Sequence, residues 1–276
     1  MIVDAHQHFW NPARGDYDWM PKDNAVLNRV YLPADLAPAL RQNRVEATVL
    51  VQAAASVGET EYMLGLADAT EFVRGVVGWV DFEKPADKAV LARLQGHGKF
   101  KGVRPMIQDI ADDDWMLRDD VQWGFAALCD LDLTLDALGF PQHLANFLVI
   151  LQRYPAMRVV VDHCMKPRIR DHSAASFRFW ADGMARLAEA GAYVKFSALI
   201  TEANADWTVE DLRPYVDHVI SAFGPERVMW GSDWPVCRLR AEYDGWRKAA
   251  GELTAGLSEA ARARIYGGSA VEFYRL

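Results

Sequence analysis

His6, His8, His163 and Asp233 are the residues of this chain whose types and spacing could do chemistry. The first two stand in Asp4-Ala5-His6-Gln7-His8, directly after the apolar start Met1-Ile2-Val3. Positions i and i+2 of a strand share a face, so both imidazoles project together. His163 closes the apolar run Val159-Val160-Val161-Asp162, and Asp233 closes Val228-Met229-Trp230-Gly231-Ser232. Imidazole and carboxylate together suit a divalent ion such as zinc. They also suffice without one: a carboxylate takes a proton from water while imidazoles polarise a carbonyl. Nucleophilic catalysis has less support. No G-x-S-x-G elbow occurs. Cys164 adjoins His163 and so faces the other way on a strand. Cys237 lies near Asp233, but the sequence supplies it no base.

Short β-branched runs alternate with helical patterns and must position these groups. Eight candidate strands fall at 2–5, 47–52, 73–79, 100–104, 131–135, 158–162, 193–197 and 227–231. Helices are expected near 33–43, 59–70, 85–94, 119–128, 141–153, 174–190, 208–222 and 240–251, with a last one over 258–265. Pro33 and Pro141 suit first turns, and Thr208 with Asp211 reads as a capping box. Strands separated by helices pair in parallel. Eight such units over residues 1–276 predict a single (β/α)8 TIM barrel in one domain. An open doubly wound sheet is disfavoured, because no G-x-G-x-x-G follows the first strand. The stretch 9–31, with Trp10, Tyr17 and Trp19, is too long for a tight turn. It reads equally as a binding loop or as an aromatic plug on the barrel top.

Reactive groups of such barrels lie at the C-terminal ends of strands. That rule collects Gln52, Trp79, Asp81, Arg104, Asp136, Asp162, Lys195, Ser197 and Glu202 beside the first set. Several have plain structural readings. Asp162 could cap or orient, Asp136 could face outward or begin a turn, and Lys195 could pair with a carboxylate inside the barrel. Trp79 and Trp230 also read as core. His97 reads as a loop residue, His143 as the first turn of helix five, and His172 and His218 as surface or helix positions. Arg104 at the end of strand four would repel a metal, and no histidine closes strand five, so a binuclear centre is not expected. A single labile ion on His6, His8, His163 and Asp233 is the metal reading. The metal-free reading favours ester-type bonds, since an alkoxide leaves more readily than an amide nitrogen.

The 276 residues are 51% hydrophobic and 25% charged, the balance of a soluble globular protein. Net charge is −8, and no basic stripe suited to nucleic acid occurs. Three cysteines without C-x-x-C spacing argue against a disulfide framework and fit a reducing compartment. No apolar run is long enough to span a bilayer, and strand one begins too early to leave room for a signal peptide. A cytoplasmic protein is expected.

With these residues in view, the chain resembles the amidohydrolase superfamily. Within it the likeness is to sugar-lactone hydrolases of the L-fuconolactonase and L-rhamnonolactonase type, relatives of 2-pyrone-4,6-dicarboxylate lactonase. It rests on Asp4-Ala5-His6-Gln7-His8-Phe9-Trp10, Tyr31-Leu32-Pro33, Val51-Gln52-Ala53, Gly78-Trp79-Val80-Asp81 and Gly102-Val103-Arg104. It continues through Asp162-His163, Lys166-Pro167, Lys195-Phe196-Ser197, Thr201-Glu202 and Phe223-Gly224-Pro225, and closes on Gly231-Ser232-Asp233-Trp234-Pro235. The resemblance implies a (β/α)8 barrel that hydrolyses aldonolactones. It implies that Asp233 is the general base, that His6, His8 and His163 contact the lactone carbonyl, and that Arg104 contacts substrate. The superfamily's usual Lys or Glu on strand four and His on strand five are missing, as in this lactonase group, where metal is often dispensable. Within the strand-four string Pro105 follows Arg104, and it would alter how the next loop reaches the ligand.

The leading expectation is therefore a lactonase that requires no cofactor and at most binds one divalent ion weakly. Trp10, Trp79 and Trp234 would stack on sugar faces, while Gln52, Asp81 and Glu202 would bond hydroxyls. Trp19 joins the same aromatic set. The motifs do not choose among fucono-, galactono-, rhamnono- and arabinono-lactones. The alternative keeps the barrel but makes it a metal-dependent hydrolase or non-oxidative decarboxylase of an aromatic or dicarboxylic acid. A barrel that binds a sugar acid without turnover is disfavoured by the acid/base-capable rim. The expected partner is a small molecule, with no nucleic acid or membrane, and the protein is a monomer or homodimer.

Overall fold

The computed structural model describes residues 1–276. Its eight strands form one all-parallel sheet in sequence order. They are β1 Val3–Gln7, β2 Ala47–Val51, β3 Val73–Gly78, β4 Phe100–Val103, β5 Thr134–Ala137, β6 Arg158–Val161, β7 Tyr193–Phe196 and β8 Val228–Trp230. The helices are α1 Pro33–Gln42, α2 Val57–Asp68, α3 Asp87–Gln95, α4 Gln122–Asp130, α5 Leu144–Arg153 and α6 Ala174–Glu189. They continue as α7 Leu199–Glu202, α8 Val209–Phe223, α9 Tyr243–Leu253, α10 Glu259–Ala263 and α11 Ser269–Tyr274. The sheet closes into the expected (β/α)8 barrel through the residues just past β8. Asp233 N–H donates to the His6 carbonyl at 2.7 Å, and His8 N–H donates to the Trp234 carbonyl at 2.7 Å. Closure of the barrel is thus what brings His6, His8 and Asp233 together. Gly231 is needed there, because a Cβ would stand 2.7 Å from the Cβ of His6. No helix is long and apolar enough to cross a membrane.

Local chemistry explains several boundaries. Pro33 fills the first turn of α1, whose Asp35 carboxylate accepts the Leu32 N–H at 2.8 Å. The Asp211 carboxylate accepts the Thr208 N–H at 2.7 Å at the start of α8. Strand five begins at Thr134, not at 131 as the β-branched pattern suggests. Leu131 caps α4, and Asp132 turns the chain with φ 54°. This shift places Asp136 within the strand and inside the barrel, neither outward nor in a turn.

The core has two layers. The larger lies between sheet and helices and includes Trp180, Trp230 and Trp246. The smaller fills the barrel's lower interior with Val3, Ala5, Val49, Val77, Val160 and Met229, packed on Phe273 and Tyr274 of α11. That last helix, unforeseen in the sequence, plugs the barrel floor. Its Tyr274 hydroxyl donates to Asp136 at 2.8 Å. Tyr274→Phe is expected to lower stability by about 1–3 kcal/mol, the cost of leaving a buried acceptor short of a donor. Urea denaturation would read this directly; an unshifted midpoint would show that the bond contributes nothing.

Candidate active site

The register of β1 against β2 slips between Asp4 and Gln7. Such a bulge re-aims side chains. Ala5 packs in the inner core, yet the His6 ring also points inward. His6 and His8 meet as their spacing predicts, Nε2 to Nε2 at 3.2 Å. His8 Nδ1 sits 2.7 Å from the Val51 carbonyl, which can only accept. Its proton is therefore on Nδ1, and Nε2 offers a lone pair to the site. Asp233 Oδ1 lies 3.2 Å from His8 Nε2, 3.7 Å from His6 Nε2 and 3.9 Å from His163 Nε2. The contact between His8 Nε2 and Asp233 joins two acceptors, and a proton or a cation completes it. Asp4 ties the frame together: its carboxylate accepts the Ser232 N–H at 2.8 Å and the Tyr243 hydroxyl at 3.1 Å. Burial pushes the Asp4 carboxyl up to about 6.

His163 is not on a strand. It opens a left-handed turn in which His163, Cys164, Met165 and Lys166 have φ of 53°, 50°, 58° and 46°. This conformation costs a non-glycine residue roughly 1–2 kcal/mol. The surroundings hold it: the Trp180 indole donates to the Cys164 carbonyl at 2.6 Å, and Ser197 Oγ is 2.9 Å from His163 Nδ1. The turn sends His163 and Lys166 to the cavity wall and leaves Cys164 buried behind it, its thiol pushed up by burial. Asp233 likewise has φ 56°. Strained backbone held in place by its neighbours is typical of functional sites.

Arg104 Nη1 stands 3.3 Å from Asp162 Oδ2 and 3.3 Å from His6 Nε2, and its Nη2 donates to the Gln52 carbonyl. Gln52 returns a bond from Nε2 to the Arg104 carbonyl at 2.6 Å. Gln52 therefore braces Arg104 and does not line the cavity. That cavity, about 360 Å³, is walled by His8, Arg104, His163, Lys166 and Asp233, with Trp10, stacked near His8, and Trp19 also lining it. His6 lies directly beneath. Trp10 is fully buried, while Trp19 is 40% exposed at the mouth. Segment 9–31 thus both plugs the barrel top and lines the cavity.

The remaining residues named from sequence fall elsewhere. Trp79 and Asp81 line a neighbouring cavity with Trp115, and the two cavities share Met106 and Asp109. Glu202 lines an outer cavity with Arg168 and Arg170 that meets the central one at Lys166. Trp234 is buried against Phe9 and Tyr31. Sequence reasoning assigned no role to Lys166, Gln108, Met106 or Leu239, all on the central wall. Lys166 carried a signal in Lys166-Pro167 after strand six. The other three lie in loops whose course no local pattern reveals.

Burial raises the Asp233 carboxyl, but the adjacent His163, His8 and Lys166 outweigh it and hold the group below the usual carboxylate value. Burial lowers His163 to about 3 and, with Lys195 nearby, holds His6 well below the usual histidine value. At neutral pH the Asp233 carboxylate is ionised beside neutral His6 and His163, with Arg104 at the edge of the site. This arrangement can deprotonate a water and stabilise the oxyanion that follows.

The amidohydrolase family model matches residues 3–276. The chain belongs to that family. Over 99% of its length this amidohydrolase is 40% identical to an L-fucono-1,5-lactonase of Burkholderia ambifaria, covering 95% of that protein. It is 36% identical to an L-fucono-1,5-lactonase of Burkholderia multivorans, over 99% of this chain and 96% of that one. A crystal structure of an amidohydrolase from Burkholderia multivorans with bound zinc superposes with TM-score 0.94 at 34% identity, covering 100% and 99% of the two chains.

Zinc ligands in a tetrahedron, each about 2.0–2.1 Å from the ion, lie roughly 3.3–3.4 Å apart. His6 Nε2, His8 Nε2 and Asp233 Oδ1, separated by 3.2, 3.2 and 3.7 Å, fit that spacing. In this amidohydrolase those three residues would hold a single ion. His163 Nε2 is farther out.

A pH profile follows from the charge states. A base must be deprotonated to act, so activity exists above its pKa and is lost below. With Asp233 depressed, kcat/KM is expected to stay level from neutral pH into moderate acid and to fall only in the carboxylate range. A fall centred near about 6.5, the ordinary histidine value, would instead make an imidazole the base.

Proposed function

We propose that this amidohydrolase hydrolyses a sugar-derived lactone, an aldonolactone of the L-fucono-1,5-lactone class, to the sugar acid, with no required metal. The observation that carries the reading is the geometry: Asp233 Oδ1 lies 3.2, 3.7 and 3.9 Å from the Nε2 atoms of His8, His6 and His163, in a cavity that Arg104, Trp10 and Trp19 also line. The two L-fucono-1,5-lactonase relatives, similar over nearly the whole chain, support it.

Asp233 takes a proton from water, and the resulting hydroxide adds to the lactone carbonyl. Arg104, His6 and His163 stabilise the oxyanion. When the tetrahedral adduct collapses, the ring C–O bond breaks and the proton on Asp233 passes to the departing alkoxide. Water and lactone become one hydroxy acid, and Asp233 is restored. Lys166 lines the same wall and can donate to a sugar oxygen. Trp19 offers an aromatic face to sugar C–H groups, with the buried Trp10 packed behind it. A divalent ion on His6, His8 and Asp233 would, when bound, add Lewis-acid polarisation of the carbonyl.

The zinc-compatible spacing favours one second reading, a metal-dependent hydrolase or decarboxylase of an aromatic or dicarboxylic acid. One experiment separates the two: a pH-indicator screen of aldono-1,4- and 1,5-lactones, with and without chelator, on protein assayed for bound metal. Rapid acid release that survives chelation is expected. Activity that disappears with the metal would transfer the reading to the second case, and silence on every lactone would remove the first.

A further inference from the structure

Beneath the cavity the barrel holds a buried polar network in which Lys195, Asp136 and Asp162 have no part in the reaction steps above. Its centre is Lys195 on β7, fully buried. Its Nζ lies 2.5 Å from Asp136 Oδ2, 3.0 Å from Asp162 Oδ1 and 3.1 Å from His6 Nδ1. Asp136 also accepts the Tyr274 hydroxyl, and Asp162 pairs with Arg104 at 3.3 Å. Two carboxylates thus face two cations, Lys195 and Arg104, so the charges balance. Buried ions persist when paired in this way.

We propose that Lys195 is a positioning residue that fixes the His6 tautomer, placing the His6 proton on Nε2 so that the ring donates a hydrogen bond into the site. An ammonium has three donors and no acceptor. At 3.1 Å, His6 Nδ1 can meet it only as an acceptor. The proton then sits on Nε2, facing the lone pair of His8 Nε2 at 3.2 Å. The opposite tautomer would gain two longer contacts, Nδ1–H to Asp162 Oδ1 at 3.4 Å, an oxygen with no other hydrogen bond, and Arg104 Nη1 to Nε2 at 3.3 Å, where the proposed tautomer sets two donors side by side. It would lose both shorter ones. Two donors would stand head to head at Nδ1, and two lone pairs would oppose each other between the histidines. Burial makes such mismatches expensive.

Two consequences follow. In the resting site His6 donates to His8. The lactone carbonyl oxygen then replaces His8 as the acceptor, an assignment that rests on the lactonase reading. A divalent ion needs the same Nε2 as a lone pair. Lys195 therefore opposes metal binding at His6, even though the spacing of the three ligand atoms suits an ion. A ligating histidine normally donates its other N–H to an acceptor such as a carboxylate; here a cation occupies that place.

The test begins with wild-type full-length protein labelled with 15N-histidine. Long-range 1H–15N correlation reports each ring's tautomer without substrate, and loss of one set in His6→Gln assigns His6. The Nε2–H form for His6 and the Nδ1–H form for His8 are expected; an Nδ1–H form for His6 overturns the proposal. Lys195→Met alone leaves two buried carboxylates undercompensated. The paired variant Lys195→Met/Asp136→Asn preserves net charge and is compared with Asp136→Asn. Loss of Lys195 is expected to release His6 from the Nε2–H form and to lower kcat about 10–100-fold, the usual effect of removing such a supporting group, with KM little changed. Zinc binding, followed by competition with a chromophoric chelator, is expected to tighten by a similar factor. An unchanged His6 tautomer in the paired variant overturns the proposal. The two readings fail separately. An enzyme silent on lactones with His6 in the Nε2–H form defeats only the proposed activity, whereas an active lactonase with His6 in the Nδ1–H form defeats only the role of Lys195.

Discussion

Asp233→Asn is expected to lower kcat by about 10²–10⁴-fold, the range associated with losing a general base, while the protein stays folded. The amide is nearly isosteric and cannot take a proton from water. Asp233 N–H closes the barrel through the His6 carbonyl at 2.7 Å, and that backbone bond survives the substitution. Relief of a buried charge offsets the loss of the carboxylate contacts to His8 and His163. Steady-state kinetics beside a thermal melt separate the two effects. Near wild-type turnover in a folded variant would remove Asp233 as the base and shift attention to the imidazoles.

Arg104→Lys is expected to lower kcat/KM by about 10²–10³-fold, the loss seen when one oxyanion donor is removed. The guanidinium spans three groups at once: the Gln52 carbonyl, Asp162 and the edge of His6. Lysine keeps the charge, so Asp162 retains cations from both Lys195 and residue 104, but one ammonium cannot reproduce the planar fork. The Gln52 carbonyl then lacks its donor at the strand end, and the cavity edge loses its fixed dipole. Activity within threefold of wild type would show that Arg104 serves the frame alone. A parallel chemical-denaturation curve distinguishes lost chemistry from lost packing.

The legible part of the site was the part written in local pattern. Apolar runs ending in polar residues located the strand ends, and a period of two put His6 and His8 on one side. Even so, the bulge between Asp4 and Gln7 was hidden, because a slip in register depends on the neighbouring strand. The left-handed turn from His163 to Lys166 was also hidden. Cys164, Met165 and Lys166 do not favour positive φ by type, and contacts with distant residues such as Trp180 and Ser197 hold them there. Trp79, Asp81 and Glu202 were assigned to the substrate from their strand-end positions. The loops carrying Trp115 and Arg168 divide the barrel mouth into separate cavities, and those residues line the outer ones.

By itself the sequence determined the barrel and the order of its strands, and it singled out His6, His8, His163 and Asp233 as the groups that meet at its rim. Strand and helix periodicities are local, and eight repeats of the same unit admit few closures. Only the tertiary structure decided which polar groups face the cavity and which lie buried as its supports. Asp136, Asp162 and Lys195 look as reactive in sequence as Asp233 does. Their roles diverge because Lys195 and Arg104 balance the charges of Asp136 and Asp162 inside the barrel, while Asp233 reaches the cavity. Such balance is a property of distances between strands far apart in the chain, which no single run of residues encodes.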